Sequence, residues 1–253
     1  MVTVALTIAG TDSSGGAGVG ADLRVFEALG VQGTVAVTAV TAQNTLGVQA
    51  VEVVTPELVR AQIGSVASDL GVDAAKTGML ATPEVVEAVA DAARAFGLRR
   101  LVVDPVMFAT SGARLLDPAG VAALRELLLP LATVVTPNLA EAAALVGCPV
   151  VDRAAMERAA SALAELGPEA VVVTGGHLGG GEPAADCLVV AGESPQWLDA
   201  PRVPGGHQAR GTGCMLSAAI CAHLALGTDL VDACINAKAF VGRGLRVNTP
   251  GEG

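Results

Sequence analysis

The stretch Leu101-Val102-Val103-Asp104-Pro105-Val106-Met107 decides the fold. It begins with an apolar run that shows no polar alternation, the pattern of a strand covered on both faces. Asp104-Pro105 then stops it, because proline carries no N–H for the ladder. A carboxylate is left just past the end of a buried strand. Open parallel sheets bind ligands beyond the carboxyl ends of their strands. The acid therefore stands at the functional edge of such a sheet; a simple loop cap is the competing reading of Asp104.

Outward from this point the same punctuation repeats. Strands are expected at residues 2–9, 34–41, 73–76, 133–135 and 170–173, each followed by Gly, Asp, Asn or Pro within a few residues. Helices are expected between them: 22–29 closed by Gly30, and 56–68 with Thr55 as cap and Pro56 in the first turn. Further helices are expected from Thr82-Pro83 to about 96, then at 120–129, 139–146 and 152–166. The rhythm breaks at 187–190 and 196–200, which read as an edge hairpin across Gly192-Glu193-Ser194-Pro195. Two long helices, 214–226 and 230 to about 245, close the chain. This alternation predicts an α/β fold with a mostly parallel sheet covered on both faces. With no linker, repeat or low-complexity segment, residues 1–253 read as one domain.

Composition bounds the function. The chain has 253 residues, 52% of them hydrophobic, enough for a full core. Its net charge of -10 argues against nucleic acid as a partner, which would call for a basic footprint. Residues 2–9 lack a basic flank and run into Gly10-Thr11-Asp12, so they read as a strand and not a signal peptide. No apolar stretch is long enough to span a bilayer, and no membrane partner is expected. Of the 5 cysteines none forms a C-x-x-C pair, which disfavours a disulfide framework or a zinc site and suits a reducing cytoplasm. Cys148, Cys187, Cys221 and Cys234 read as small core residues.

Cys214 differs, because it follows Gly211-Thr212-Gly213 at a helix start. Free N–H groups and the helix dipole make such a start an anion site. The same field is expected to stabilise a thiolate and lower the thiol pKa below ~8.5. A buried structural cysteine is an equal alternative. Asn138 and Glu141, three apart at another helix start, suit either a water-mediated Mg²⁺ site or a capping box. The glycine-rich loop from Gly10 to Asp22 holds Gly16-x-Gly18-x-x-Ala21. No acid lies between Glu27 and Glu52, so the dinucleotide fingerprint is rejected. Gly-Lys-Ser/Thr is also missing, which removes a P-loop. What stays open is a plain turn or a loop that lets a ligand approach the backbone. His177, His207 and His223 have no metal-ligand partner at suitable spacing, and His223 reads as structural.

Taken together, the chain resembles the hydroxymethylpyrimidine/phosphomethylpyrimidine kinases of thiamin biosynthesis, members of the ribokinase-like superfamily. The resemblance rests on Thr7-Ile8-Ala9-Gly10-Thr11-Asp12, Gly15-Gly16-Ala17-Gly18, Ala21-Asp22 and Thr41-Ala42-Gln43-Asn44-Thr45. It continues in Lys76-Thr77-Gly78-Met79-Leu80, Asp104-Pro105-Val106-Met107, Ser111-Gly112, Thr136-Pro137-Asn138 and Glu141-Ala142. Gly175-Gly176-His177, Gly211-Thr212-Gly213-Cys214 and Leu216-Ser217-Ala218-Ala219 complete it, in family order over nearly the whole chain.

The resemblance implies a ribokinase-like three-layer α/β/α sandwich acting as a cytoplasmic homodimer. It implies transfer of the ATP γ-phosphoryl group to 4-amino-5-hydroxymethyl-2-methylpyrimidine, then a second transfer giving the diphosphate. It places Gln43, Gly10, Asp22, Met79 and Val106 at the pyrimidine. Asp104, Asn138, Thr174 and Arg210 fall on the ATP side, with Asp104 and Glu141 toward Mg²⁺. Gly211, Thr212 and Gly213 form the anion hole, with Cys214 as base or polariser. The chain departs from the pattern at Gly20, Thr174, Arg210 and Met215, where relatives commonly carry glutamine, lysine, histidine and threonine. Pyridoxal kinase activity and a non-catalytic ligand-binding role are the alternatives.

Overall fold

In the computed structural model, residues 2–109, 111–176, 184–201 and 211–248 are described. The central strands run β1 (Val4–Ala9), β2 (Gln32–Val37), β5 (Ala74–Thr77), β6 (Leu101–Val103), β7 (Val134–Val135), β8 (Ala170–Thr174), β9 (Ala184–Val190) and β10 (Gln196–Ala200). They form one sheet in the order β10-β9-β8-β7-β6-β5-β1-β2. Pairing is parallel from β2 through β8 and antiparallel at β8–β9 and β9–β10. The expected edge hairpin is therefore present, with β9 starting earlier than the sequence suggested.

Helices cover both faces. The helices are α1 (Gly18–Ala28), α2 (Pro56–Asp69), α3 (Pro83–Phe96), α4 (Pro118–Ala123), α5 (Leu139–Val146), α6 (Arg153–Ala164), α7 (Thr212–Ala225) and α8 (Leu230–Asn248). Val85, Val89, Met156 and Leu163 of α3 and α6 pack with Ile8, Val103 and Val173 of the sheet. The opposite face buries Val102, Val134 and Val172 under Ile220, Cys221 and Cys234 of α7 and α8. The three-layer sandwich follows directly from strands apolar on both sides.

Side chains satisfy most helix starts. Thr55, Thr82, Asp117, Asn138 and Asp152 each accept a first-turn N–H. Ala17 and Gly211, which precede α1 and α7, supply no such bond. At α1 the Val19 amide goes to Gly10 O instead, and the start of α7 has no side-chain cap among the described residues.

Three expectations needed correction. The strand predicted at 34–41 breaks at Thr38, whose N–H goes to Ala9 O and whose hydroxyl goes to Met79 O at 2.6 Å. Beyond the break the chain leaves the main sheet as β3 (Ala39–Asn44), paired antiparallel with β4 (Gly47–Val53). The β4 strand was missed because Val48-Gln49-Ala50-Val51-Glu52-Val53, though rich in valine, puts polar and apolar residues on both faces and shows no period of two. The helix expected at 120–129 starts at Pro118 and widens into a π-turn over Leu124–Leu128, then a 3-10 turn that meets Pro130. Finally, Cys148 is exposed; the core role fits Cys187, Cys221 and Cys234 alone.

The N-terminus of α1 is wedged against the first loop. A Cβ on Gly18, where φ is 59°, would lie 2.3 Å from Gly10 O. Gly20, one turn position on, has open space around it. Gly18→Ala is expected to cost at least about 2 kcal/mol in urea unfolding, from the clash and the left-handed backbone. Gly20→Ala is expected to leave stability unchanged or raise it slightly. Equal effects of the two would show that the close approach is not what holds the loop.

Candidate active site

Side chains alternate across a strand. Lys76 and Asp104 therefore follow Ala74 and Val102 onto the face that packs against α7. Lys76 is fully buried at the end of β5, and its ammonium donates to both oxygens of Asp22 at 2.9 and 3.0 Å. Thr7 donates its hydroxyl to the same carboxylate at 2.6 Å. Asp104 Oδ2 stands 4.0 Å from Lys76 Nζ and accepts the Ser217 hydroxyl of α7 at 2.9 Å. Burial opposes the Lys76 charge, but Asp22, Cys214 and Asp104 outweigh burial and raise its pKa.

This floor lies beneath the first turn of α7. A Cβ on Gly211, where φ is 74°, would fall 2.2 Å from Gly16 O, so the two glycine loops meet backbone to backbone. Only glycine allows both the φ and the approach. Cys214 is half-exposed as a residue, and the Gly18 amide hydrogen-bonds its thiol. The expected low thiol pKa is corrected here. Burial pushes it up to about 12; Lys76 opposes that, while Asp104 and Asp22 reinforce it. Loss of solvent around the thiol outweighs the help of Lys76 and of the Gly18 amide.

Asn138 and Glu141 form a full capping box at α5. Asn138 Oδ1 accepts the Ala140 and Glu141 amides at 3.0 Å each, and Glu141 Oε2 accepts the Asn138 amide at 2.9 Å. The cap does not exhaust Glu141, whose Oε1 also accepts the Met107 amide at 3.4 Å. Burial first, and then Asp104, lift its pKa to about 8. Burial likewise raises that of Asp104 against the pull of Lys76 and Ser217. Two neighbouring acids that resist ionising are short of positive charge. Beside them the Thr136 hydroxyl, at the end of β7, is buried with no hydrogen-bond partner among the described residues. Among those residues no cluster of three or more His, Cys, Asp or Glu could cage a metal. One or two carboxylates with spare water and phosphate positions is what Mg²⁺ takes, so the donor set fits it.

The other expected residues divide into two groups along the sheet. Gly10 and Met79 touch: a Cβ on Gly10 would lie 3.3 Å from Met79 Sδ. Gln43 joins them through Ser13, whose hydroxyl accepts the Gln43 amide at 2.8 Å and donates to its carbonyl at 2.7 Å. The side-chain amide of Gln43 is half-exposed and makes no hydrogen bond among the described residues. Val106 is half-buried on the loop after Asp104. Asp22 was expected at the substrate wall but has no exposed surface; it serves Lys76. On the other side Thr174 forms a bridge to Asn138 and donates its N–H to Pro137 O at 2.9 Å. Met215 turns its thioether toward Gly244 of α8 and so stands in helix packing. Partial burial, and then Arg243, lower the His223 pKa. Arg210, His177 and His207 lie outside the described residues.

Lys76 and Ser217 were quoted in the sequence but given no role. The signal for Lys76 was available, since a lysine inside an apolar strand demands a buried partner. Ser217 carried none, because one serine on a helix face is ordinary.

Uncapped amides facing buried acids, with a neutral thiol and no activated nucleophile, suit phosphoryl transfer, which depends on positioning and charge neutralisation. The protein is a phosphotransferase of the kinase type. A family model described as Phosphomethylpyrimidine kinase matches residues 12–252. The hydroxymethylpyrimidine/phosphomethylpyrimidine kinase of Rhizobium meliloti is 53% identical over 242 residues, covering 95% of this chain and 90% of its own. A crystal structure of phosphomethylpyrimidine kinase from Clostridium difficile superposes with TM-score 0.84 at 37% identity, covering 97% of this chain and all of that one. A Bacillus subtilis pyridoxal kinase solved as an ADP complex gives 0.85 at 40% identity, covering 95% and 90%. The chain belongs to the phosphomethylpyrimidine kinase family.

Folding raises the Glu141 pKa from its ordinary 4.5 to about 8. Between those values the folded state holds more protons than the unfolded, so this group's contribution to stability is lost as pH rises toward 8. The melting temperature of ligand-free protein is expected to fall from pH 5 to 8, and Glu141→Gln to flatten part of that fall. An unchanged slope in the variant would show that Glu141 ionises normally.

Proposed function

We propose that this chain transfers the ATP γ-phosphoryl group to the hydroxymethyl oxygen of 4-amino-5-hydroxymethyl-2-methylpyrimidine, and then phosphorylates the monophosphate to the diphosphate. The observation that carries the reading is the uncapped start of α7, closed on the first glycine loop above Lys76 and Asp104. The amides of Gly211, Thr212 and Gly213 are suited to the charge that develops on the transferred group. Glu141 and Asp104 would hold Mg²⁺, which when bound neutralises phosphate charge and lowers both carboxyl pKa values. The free amide of Gln43 offers both donor and acceptor to an aminopyrimidine edge. Gly10 and Met79 form the apolar wall beside it, with Val106 on the loop from Asp104. Asn138 and Thr174 line the ATP side, and Arg210 is assigned there from sequence.

Cys214 acts on the reacting hydroxyl. Its thiol rests protonated and so does not take up the hydroxyl proton. It polarises the reacting oxygen by hydrogen bonding, and the proton passes to a phosphate oxygen or to solvent once the new P–O bond has made the bridging oxygen acidic. Cys214→Ser is expected to lower kcat on the order of 10²-fold with little change in the KM for ATP. Turnover near the wild-type rate would remove Cys214 from the chemistry.

Two further readings follow from surface and composition. Val40, Leu46 and Val51 of the β3–β4 hairpin are 53%, 88% and 39% exposed, with Val40 and Val51 on opposite faces, so the hairpin offers apolar side chains on both sides to a second copy of the chain. The protein is proposed to work as a homodimer in the cytoplasm, where its free thiols stay reduced. No helix among the described residues is long and apolar enough to cross a membrane.

The deciding assay is purified protein with Mg-ATP and the hydroxymethylpyrimidine, products resolved by mass, and pyridoxal run in parallel. The expected result is pyrimidine monophosphate followed by diphosphate. Phosphorylation of pyridoxal alone would place the specificity elsewhere, and consumption of neither would favour a ligand-binding role.

A further inference from the structure

The chain has two lysines, and the second lies at the opposite end of the site from Lys76. Lys238 on α8 donates from Nζ to Asp186 Oδ2 at 2.6 Å. The other oxygen of that carboxylate accepts the Gly175 amide at 3.0 Å. The two side chains are 15% and 4% exposed. Asp186 pairs with Thr174 across the β8–β9 ladder, and Thr174 bridges to Asn138. A Cβ on Gly175 would fall 2.2 Å from Ala185 O, so the turn after β8 is pressed against β9.

Burying an ion pair is seldom the best route to stability, since apolar side chains of similar size do as well. What this pair adds is a fixed acceptor for one backbone amide, at the point where β8 turns over the site. The carboxylate needs Lys238 to stay charged there: burial raises the Asp186 pKa, and Lys238 opposes the rise. Asn138, Thr174 and Gly175 sit at the ends of β7 and β8, well along the sheet from Gly10 and Met79 at β1 and β5.

We propose that Asp186 is a positioning residue for the nucleotide: it holds the Gly175 amide at the end of β8, the point that meets ATP, while Lys238 serves only to compensate its buried charge. Neither side chain has to touch the nucleotide. The proposal rests on the assignment of Asn138 and Thr174 to the ATP side.

Two double variants separate the acceptor from the charge. Asp186→Asn/Lys238→Met removes both charges but keeps an oxygen for Gly175. Asp186→Leu/Lys238→Met removes the oxygen and fills the space with apolar groups. ADP affinity by calorimetry and the KM values for ATP and for hydroxymethylpyrimidine are measured on both. The Asn variant is expected to stay within about threefold of wild type throughout. The Leu variant is expected to lose about tenfold in ADP affinity and in KM for ATP, the scale of one lost hydrogen bond, with the pyrimidine KM unchanged. Wild-type ADP binding by both variants would overturn the proposal and leave the pair structural. Equal losses in both would also overturn it, because charge and not the acceptor would matter. A loss confined to the pyrimidine KM would overturn the assignment of this turn to ATP. If wild-type protein binds no ADP, the nucleotide reading fails with the proposal.

Discussion

The site is built on one buried ammonium. Lys76 reaches from the end of β5 into a space closed by Asp22, Thr7 and Asp104, with no exposed surface of its own. An unpaired charge there would be prohibitive, and deleting one partner of such a pair costs about 3–5 kcal/mol. The pair therefore fixes three separate elements against one another. The start of α1 carries Asp22, the centre of the sheet carries Lys76 and Asp104, and Ser217 ties α7 to Asp104. The two glycine loops above meet only because those elements are held in register.

The same ammonium sets the electrical state of the site, and it is not enough. Burial is the main force on Asp104, Glu141 and Cys214; Lys76 opposes it at Asp104 and Cys214, while Asp104 adds to it at Glu141 and Cys214. Each is pushed toward its protonated form, Glu141 to about 8 and Cys214 to about 12. A site left short of positive charge is well matched to a ligand that arrives with a divalent cation.

Much of this was legible in the sequence. Apolar runs such as Leu101-Val102-Val103 gave the parallel sheet, and Asp104 past its end gave the functional edge. The caps at Thr55, Thr82 and Asn138 set the helix starts closely. What could not be read was which polar residue faces which. The family resemblance put Asp22 at the substrate wall, whereas the fold turns it inward onto Lys76. The Cys214 thiol was misjudged because a helix start was visible and the burial of the thiol was not. The β3–β4 hairpin was lost because the chain leaves the sheet after Thr38, whose hydroxyl is held by the carbonyl of Met79, a residue distant in sequence.

The account's central claim is that the ligand-free site holds protons for want of positive charge. Calorimetry of magnesium–ADP binding at pH 7, repeated in buffers of different ionisation enthalpy, counts protons exchanged on binding. With Glu141 near 8, most of one proton should leave the protein as the cation arrives. Binding with no proton release, or with uptake, would mean that the acids are already ionised at rest and that the charge balance described here is wrong.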